Sequence, residues 1–228
     1  MTRQIRVTHR IEDTVAAGAP LGAAKAALIL VHGRGATAES MLPLAEAFGR
    51  SDIAFVAPQA GGNSWYPYSF LAPLEANEPF LSSALTLLGG LVKELQAKDY
   101  PPERIGLVGF SQGACLATEF VARNARRYGV VAGLSGGLIG PEGTRRGYPG
   151  SLDGTPVFLG CSDLDPHIPV VRVHETAAVL GALGAEVDTR IYPGMGHTVN
   201  EDEIGAVKTL LDRMADSTEP SPPPGRPI

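Results

Sequence analysis

Cysteine is scarce in this chain: Cys115 and Cys161 are the two among 228 residues. Two thiols so far apart supply neither a disulfide framework nor the paired spacing of a zinc site, and they fit a reducing, cytoplasmic compartment. The histidines carry no metal signature either, because His9, His167 and His174 show no i, i+4 pairing and no H-E-x-x-H pattern. No metal and no other cofactor is expected. Long apolar runs are also missing: the longest, residues 26–31, falls far short of the ~20 residues that cross a bilayer. No membrane insertion is expected, and Arg3, Arg6 and Arg10 interrupt the apolar segment that an export signal would need. Positive charge is thin. Nineteen lysines and arginines stand against 24 aspartates and glutamates, a formal net charge of −5 with no basic cluster, so nucleic acid is not an expected partner.

What is present is apolar residue and glycine. With 44% hydrophobic content the chain can bury one substantial core, and a single domain over residues 1–215 is expected. Residues 216–228 hold five prolines and almost nothing apolar, which reads as a disordered tail. Short β-prone runs at 28–31, 53–56, 104–108, 130–134, 156–160 and 186–192 read as strands, most of them buried on both faces. Helical patterns alternate with them at 37–48, 81–98, 114–123, 170–183 and 199–214, and residues 4–10 alternate well enough for an exposed strand. The pattern predicts an α/β fold with a mostly parallel sheet and helices on both faces. Residues 135–155 are too few and too glycine-rich to hold a cap domain, so an open site is expected.

The centre of this pattern is Gly109-Phe110-Ser111-Gln112-Gly113, placed between a strand and a helix. A turn this sharp holds the serine hydroxyl out at the carboxyl edge of the sheet, and the flanking glycines allow strand and helix to approach closely. The helix N-terminus adds free N–H groups and positive potential, which suit a developing oxyanion. Alone, the stretch reads equally well as a glycine turn with a serine cap. An acid and a histidine follow it, however, each just past a strand, in the order serine, acid, histidine of the α/β-hydrolases. The histidine is His197, in a glycine-flanked turn. The acid is Asp163 or Asp165, and spacing alone prefers Asp165 only slightly, through the rigid Pro166 after it.

The loop His32-Gly33-Arg34-Gly35 is placed to supply one oxyanion donor, the N–H of Arg34, beside the N–H of Gln112, with His32 as a structural hydrogen-bonding residue. The long connection 58–79 gathers Trp65, Tyr66, Tyr68 and Phe70, which with Leu138 and Ile139 are the candidate substrate-binding residues. A second subunit covering this aromatic loop, as in a homodimer, is a further expectation.

His32-Gly33-Arg34-Gly35 and Gly109-Phe110-Ser111-Gln112-Gly113, with Asp163-Leu164-Asp165-Pro166-His167-Ile168-Pro169 and Gly194-Met195-Gly196-His197, resemble the four signatures of the phospholipase/carboxylesterase family, which includes acyl-protein thioesterases. The likeness runs from about residue 26 to 214. It implies an α/β-hydrolase fold, a small-molecule ester substrate, a Ser111, Asp165 and His197 triad in which the acid is the aspartate directly before proline, and oxyanion donors at Arg34 and Gln112. Acyl-protein thioesterases usually carry leucine and aspartate where this chain has Arg34 and Ala36, and Phe-Asp where it has Tyr66-Pro67. A small bacterial-type carboxylesterase is therefore the closer likeness. The expected activity is hydrolysis of short to medium acyl or aryl esters through an acyl-serine, rising with pH through a histidine-like pKa of ~6.5 to 7. A lysophospholipase or acyl-(protein) thioesterase is the alternative, and a non-catalytic ligand receptor on the same fold is the alternative of another class.

Overall fold

The computed structural model describes residues 9–216. The proline-rich stretch after Asp216 and most of the expected strand 4–10 lie outside the described residues. Seven strands form one sheet: β1 (Val15–Gly18), β2 (Ala26–Val31), β3 (Ile53–Ala57), β4 (Ile105–Phe110), β5 (Val130–Leu134), β6 (Pro156–Ser162) and β7 (Glu186–Tyr192). Their order is β1-β3-β2-β4-β5-β6-β7, parallel throughout except for β1, which runs antiparallel to β3 at one edge. The sequence reading missed β1. Its Val-Ala-Ala-Gly run has little β-propensity, and pairing with β3 is what makes it a strand.

Every residue of β2, β3 and β5 is buried, as expected of strands covered on both faces. Alternate side chains feed two core layers. Ala27, Ile29 and Val31 join the layer under α2 (Phe80–Gln96), α3 (Gln112–Arg123) and α4 (Val170–Ala182). Ala26, Leu28 and Leu30 join the opposite layer under α1 (Leu42–Ala47) and α5 (Glu201–Asp216). Helices thus pack on both faces, and the central strands β2, β4 and β5 direct their carboxyl ends to one edge.

The helix expected over 37–48 is a 3₁₀ turn, Ala38–Met41, followed by α1, which ends before Gly49 at φ 63°. α5 begins with a reciprocal cap. The Asn200 side-chain oxygen accepts the Glu203 N–H at 2.9 Å, and a Glu203 carboxylate oxygen accepts the Asn200 N–H at 2.9 Å. The pattern Asn-x-x-Glu at 200–203 is the sequence signal of this cap.

Between β5 and β6 there is no helix or strand, so no cap domain stands over the sheet edge. This segment is held instead by buried charge. Glu119 of α3 accepts the Ile139 N–H at 3.0 Å and the Tyr148 hydroxyl at 3.1 Å, and it pairs with Arg123 at 2.7 Å. Arg172 of α4 donates to the carbonyls of Leu138 and Gly140 at 2.7 and 2.6 Å.

Candidate active site

Ser111 stands at the junction of β4 and α3 with φ 55° and ψ −119°, a conformation a non-glycine residue adopts only under constraint. The glycines around it are required by contact. A Cβ on Gly113 would lie 2.0 Å from the Val31 carbonyl oxygen, and one on Gly109 would lie 2.3 Å from the Gly113 oxygen. With those side chains absent, α3 starts against the end of β2 and the serine is forced outward. The Ser111 N–H is itself tied to the Leu134 carbonyl of β5 at 2.9 Å.

The turn after β7 brings His197 to the serine. Its Nε2 lies 2.8 Å from Ser111 Oγ, and its Nδ1 lies 2.7 Å from Asp165 Oδ2. The other Asp165 oxygen accepts the N–H groups of His167 and Ile168 at 2.8 and 3.0 Å, so Asp165, just past β6, is an acceptor only. That assigns the proton on the His197 ring to Nδ1 and leaves Nε2 to accept from the serine hydroxyl. The Asp165 carboxylate is fully covered by protein. Burial by itself would raise its pKa, but the hydrogen bonds from His197, His167 and Ile168 together outweigh burial and hold it below the usual aspartate value. Asp163, left open by spacing, does something else: it accepts the Gly194 N–H at 2.7 Å and so braces the turn that carries His197. Phe110 and His167 pack against the His197 ring, with centroids 5.0 and 4.9 Å away.

Arg34 and Gln112 both border the cleft at Ser111. The neighbouring N–H groups of Gly35 and Ala36 are taken by the carbonyls of Asn63 and Gly33, whereas the N–H groups of Arg34 and Gln112 donate to no acceptor among the described residues. Their side chains act elsewhere. Gln112 accepts the Trp65 N–H at 3.0 Å and donates to the Tyr66 carbonyl at 2.8 Å. Arg34 donates to Ser64 Oγ at 3.1 Å and to the carbonyls of Pro67 and Tyr68 at 2.8 and 2.5 Å. The buried Asn77 adds bonds to the Tyr68 N–H and the Ser69 carbonyl. The aromatic loop is thereby pinned to the sheet edge that carries Ser111, a role for the Arg34 and Asn77 side chains that the sequence reading did not find. An arginine and an asparagine within reach of a proline-broken loop were its only sequence signal.

The cleft has a volume of about 500 Å³. Of the expected substrate-binding residues, Tyr66, Tyr68 and Phe70 line it; Trp65, Leu138 and Ile139 do not. Trp65 is fully buried, with its indole N–H on the His32 carbonyl at 2.8 Å and its ring beside the His32 imidazole. His32, also buried, donates from Nδ1 to the Gly33 carbonyl and accepts the Ala60 N–H at Nε2, a structural role as expected. Leu138 and Ile139 turn into the core because their backbone is bound by Thr176, Glu119 and Arg172. Cys115 and Ile168 line the cleft in their place, unforeseen because they reach it from α3 and the loop after β6. Through Gly33, Ala36 and Phe110 the cleft adjoins an apolar groove of about 440 Å³ walled by Met41, Leu44, Val199 and Ile204. Among the described residues no group of three or more histidine, cysteine or acidic side chains could hold a metal, and no helix is long and apolar enough to cross a membrane.

The sequence model of the phospholipase/carboxylesterase family matches residues 13–215. Among solved structures, a phospholipase/carboxylesterase from Dyadobacter fermentans is 44% identical, with a TM-score of 0.84 over 87% of this chain and 95% of its own. Acyl-protein thioesterase 1 of Debaryomyces hansenii is 28% identical over 83% of this chain and 91% of its length. Acyl-protein thioesterase 1 of Gibberella zeae is 33% identical over 116 residues, which span 50% of this chain and 49% of that protein. The open sheet edge without a cap, the glycine-bounded serine turn and the match over nearly the whole described chain agree: this protein belongs to the phospholipase/carboxylesterase family and is a carboxylic ester hydrolase of the α/β-hydrolase fold.

Proposed function

We propose that the chain hydrolyses short to medium acyl or aryl esters through an acyl-Ser111 intermediate, with His197 as the proton carrier and Asp165 as its orienting partner. The observation that carries this reading is the unbroken hydrogen-bonded chain from Asp165 through His197 to Ser111, at the wall of an open cleft. Ser111 Oγ attacks the ester carbonyl carbon as its proton passes to His197 Nε2. The carbonyl electron pair moves onto oxygen, where the N–H groups of Arg34 and Gln112 receive it. Collapse of the tetrahedral intermediate expels the alcohol oxygen, which takes the proton from His197. Water then attacks the acyl-serine by the same route and releases the acid. Asp165, with its lowered pKa, stays ionised throughout and stabilises the charged imidazole. No cofactor enters these steps, and two buried free thiols accord with a cytoplasmic location.

Tyr66 and Phe70, both buried at the cleft, limit the depth available to an acyl group and favour the shorter substrates. The adjoining apolar groove favours a second reading, a lysophospholipase or acyl-(protein) thioesterase that lays a longer chain along Met41 and Leu44. Hydrolysis of p-nitrophenyl esters from acetyl to palmitoyl, compared between the natural protein and an equally folded Ser111→Ala, tests both. The expected result is an optimum at or below octanoyl that vanishes in the variant. An optimum at palmitoyl selects the second reading, and activity surviving in Ser111→Ala overturns the serine mechanism. Hydrolysis of no ester or thioester by either protein would favour a ligand receptor.

A further inference from the structure

The cleft beside Ser111 holds a cation with no counter-ion among the described residues. The Arg34 guanidinium has five N–H donors, and three are occupied: both on Nη1, by Ser64 Oγ and the Pro67 carbonyl, and one on Nη2, by the Tyr68 carbonyl. All three acceptors are neutral, as is the Tyr66 ring, whose centroid lies 5.8 Å from Cζ. One donor on Nε and one on Nη2 have no protein partner among the described residues. Arg50, Arg146, Arg172 and Arg190 each sit on a carboxylate, whereas no described acidic side chain lies within ion-pair distance of Arg34. Among the described residues no aspartate or glutamate lines the cleft. Asp165, behind it, is committed to His197 and two backbone N–H groups. In a chain of net charge −5 this is a local reversal of sign at the reacting serine.

The arrangement is also preorganised. Three hydrogen bonds fix the guanidinium before any ligand arrives, so little side-chain entropy remains to be lost on binding. Two donors on adjacent nitrogens suit the two oxygens of a carboxylate. We propose that Arg34 is a specificity-determining residue that selects esters bearing a carboxylate, held at the cleft mouth on the side of residues 64–68. This deepens the esterase reading above and rests on it: the ester carbonyl sits at Ser111 Oγ while the substrate's distal carboxylate meets Nε and Nη2 of Arg34.

Two matched substrate pairs test the proposal, each differing by methylation of one carboxylate, which removes the charge and adds one methyl group. Mono-4-nitrophenyl adipate against its methyl ester places the carboxylate on the acyl side. 4-Carboxyphenyl butyrate against its methyl ester places it on the leaving group. In at least one pair the charged member should have about tenfold higher kcat/KM at low salt, and that ratio should fall several-fold by 0.3 M NaCl as the pair is screened. Arg34→Met should bring the ratio to one or below. The substitution also removes three loop anchors and lowers both rates, and the ratio cancels that shared loss. Ratios at or below one for both pairs in the natural protein overturn the proposal while neutral-ester hydrolysis leaves the esterase reading standing. The same pairs titrated onto Ser111→Ala report the preference as Kd without turnover, so failure of the chemistry does not hide the answer: equal Kd values within each pair also overturn it.

Discussion

Replacing Glu203 by glutamine should stabilise the protein at pH 8 and change it far less at pH 5. The Glu203 side chain is fully buried where α5 crosses β6, so close that a Cβ on Gly160 would lie 2.1 Å from one of its oxygens. That oxygen has no hydrogen-bond partner among the described residues, and the other takes the Asn200 N–H. Burial is the main cause that pushes its pKa up to about 7 from the usual 4.5, with the Asn200 N–H opposing and Asp202 adding a little. Between those two values the folded state holds a proton that the unfolded chain has released, so stability falls as pH rises. The contribution is fully present below pH 4.5 and is lost as pH passes through 7. The shift of 7 − 4.5 = 2.5 units corresponds to about 3 kcal/mol at pH 8, of which about 1 kcal/mol is already lost at pH 5. Glutamine keeps an acceptor for the Asn200 N–H and carries no charge. Urea unfolding of both proteins at the two pH values should therefore show a gain of about 2–3 kcal/mol at pH 8 and about 1 kcal/mol or less at pH 5. His9 and His32, whose pKa values burial lowers, tilt stability with pH in the opposite sense, but they are common to both proteins and cancel in the difference. An equal effect at pH 5 and pH 8, or a loss at pH 8, would refute the reasoning.

Three further outcomes are expected. Asp165→Asn should keep the fold, as read by thermal unfolding, yet lower kcat by about 10⁴-fold, because an amide in place of the carboxylate no longer holds the Nδ1–H tautomer. Gly113→Ala should destabilise by about 3 kcal/mol, the upper end for overpacking, since its Cβ meets a backbone carbonyl that cannot swing away; Gly181→Ala, with nothing within 4 Å, should gain about 0.5–1 kcal/mol, and equal melting temperatures for the two variants would contradict this. Burial pushes both thiols up to about 12, so iodoacetamide at pH 8 should label Cys115 and Cys161 only after unfolding, as counted by mass spectrometry.

Much of the fold was legible because its signals are local. Uninterrupted apolar runs mark strands buried on both faces, and β2 through β6 lie where such runs and their flanks placed them, while β7, Glu-Val-Asp-Thr-Arg-Ile-Tyr with no fully buried residue, was legible as an extended stretch. The serine turn was legible for a similar reason: glycines two residues on either side have no other use than close approach, and the 2.0 and 2.3 Å spacings show what their side chains would strike. β1 was not legible, since Val15–Gly18 is a strand only by virtue of its partner.

At the site, sequence order named the serine, the histidine and two acids; spacing preferred Asp165 only slightly, because Asp163 and Asp165 stand at nearly the same place in the chain, and it was the family resemblance that pointed to Asp165. Tertiary structure separates them, one on His197 and one on the Gly194 N–H, by the curvature of the turn after β6. The aromatic loop shows the same limit. Its composition marked it as important, but which rings face the cleft depends on partners distant in sequence: His32 draws Trp65 inward, while Arg34, Gln112 and Asn77 hold Tyr66 to Ser69 against Ser111. The strands and the serine turn were determined by the chain itself, because each follows from neighbours a few residues away. The lining and charge of the cleft were decided only in three dimensions, where residues from β4, α3 and the loops after β2, β3, β6 and β7 meet.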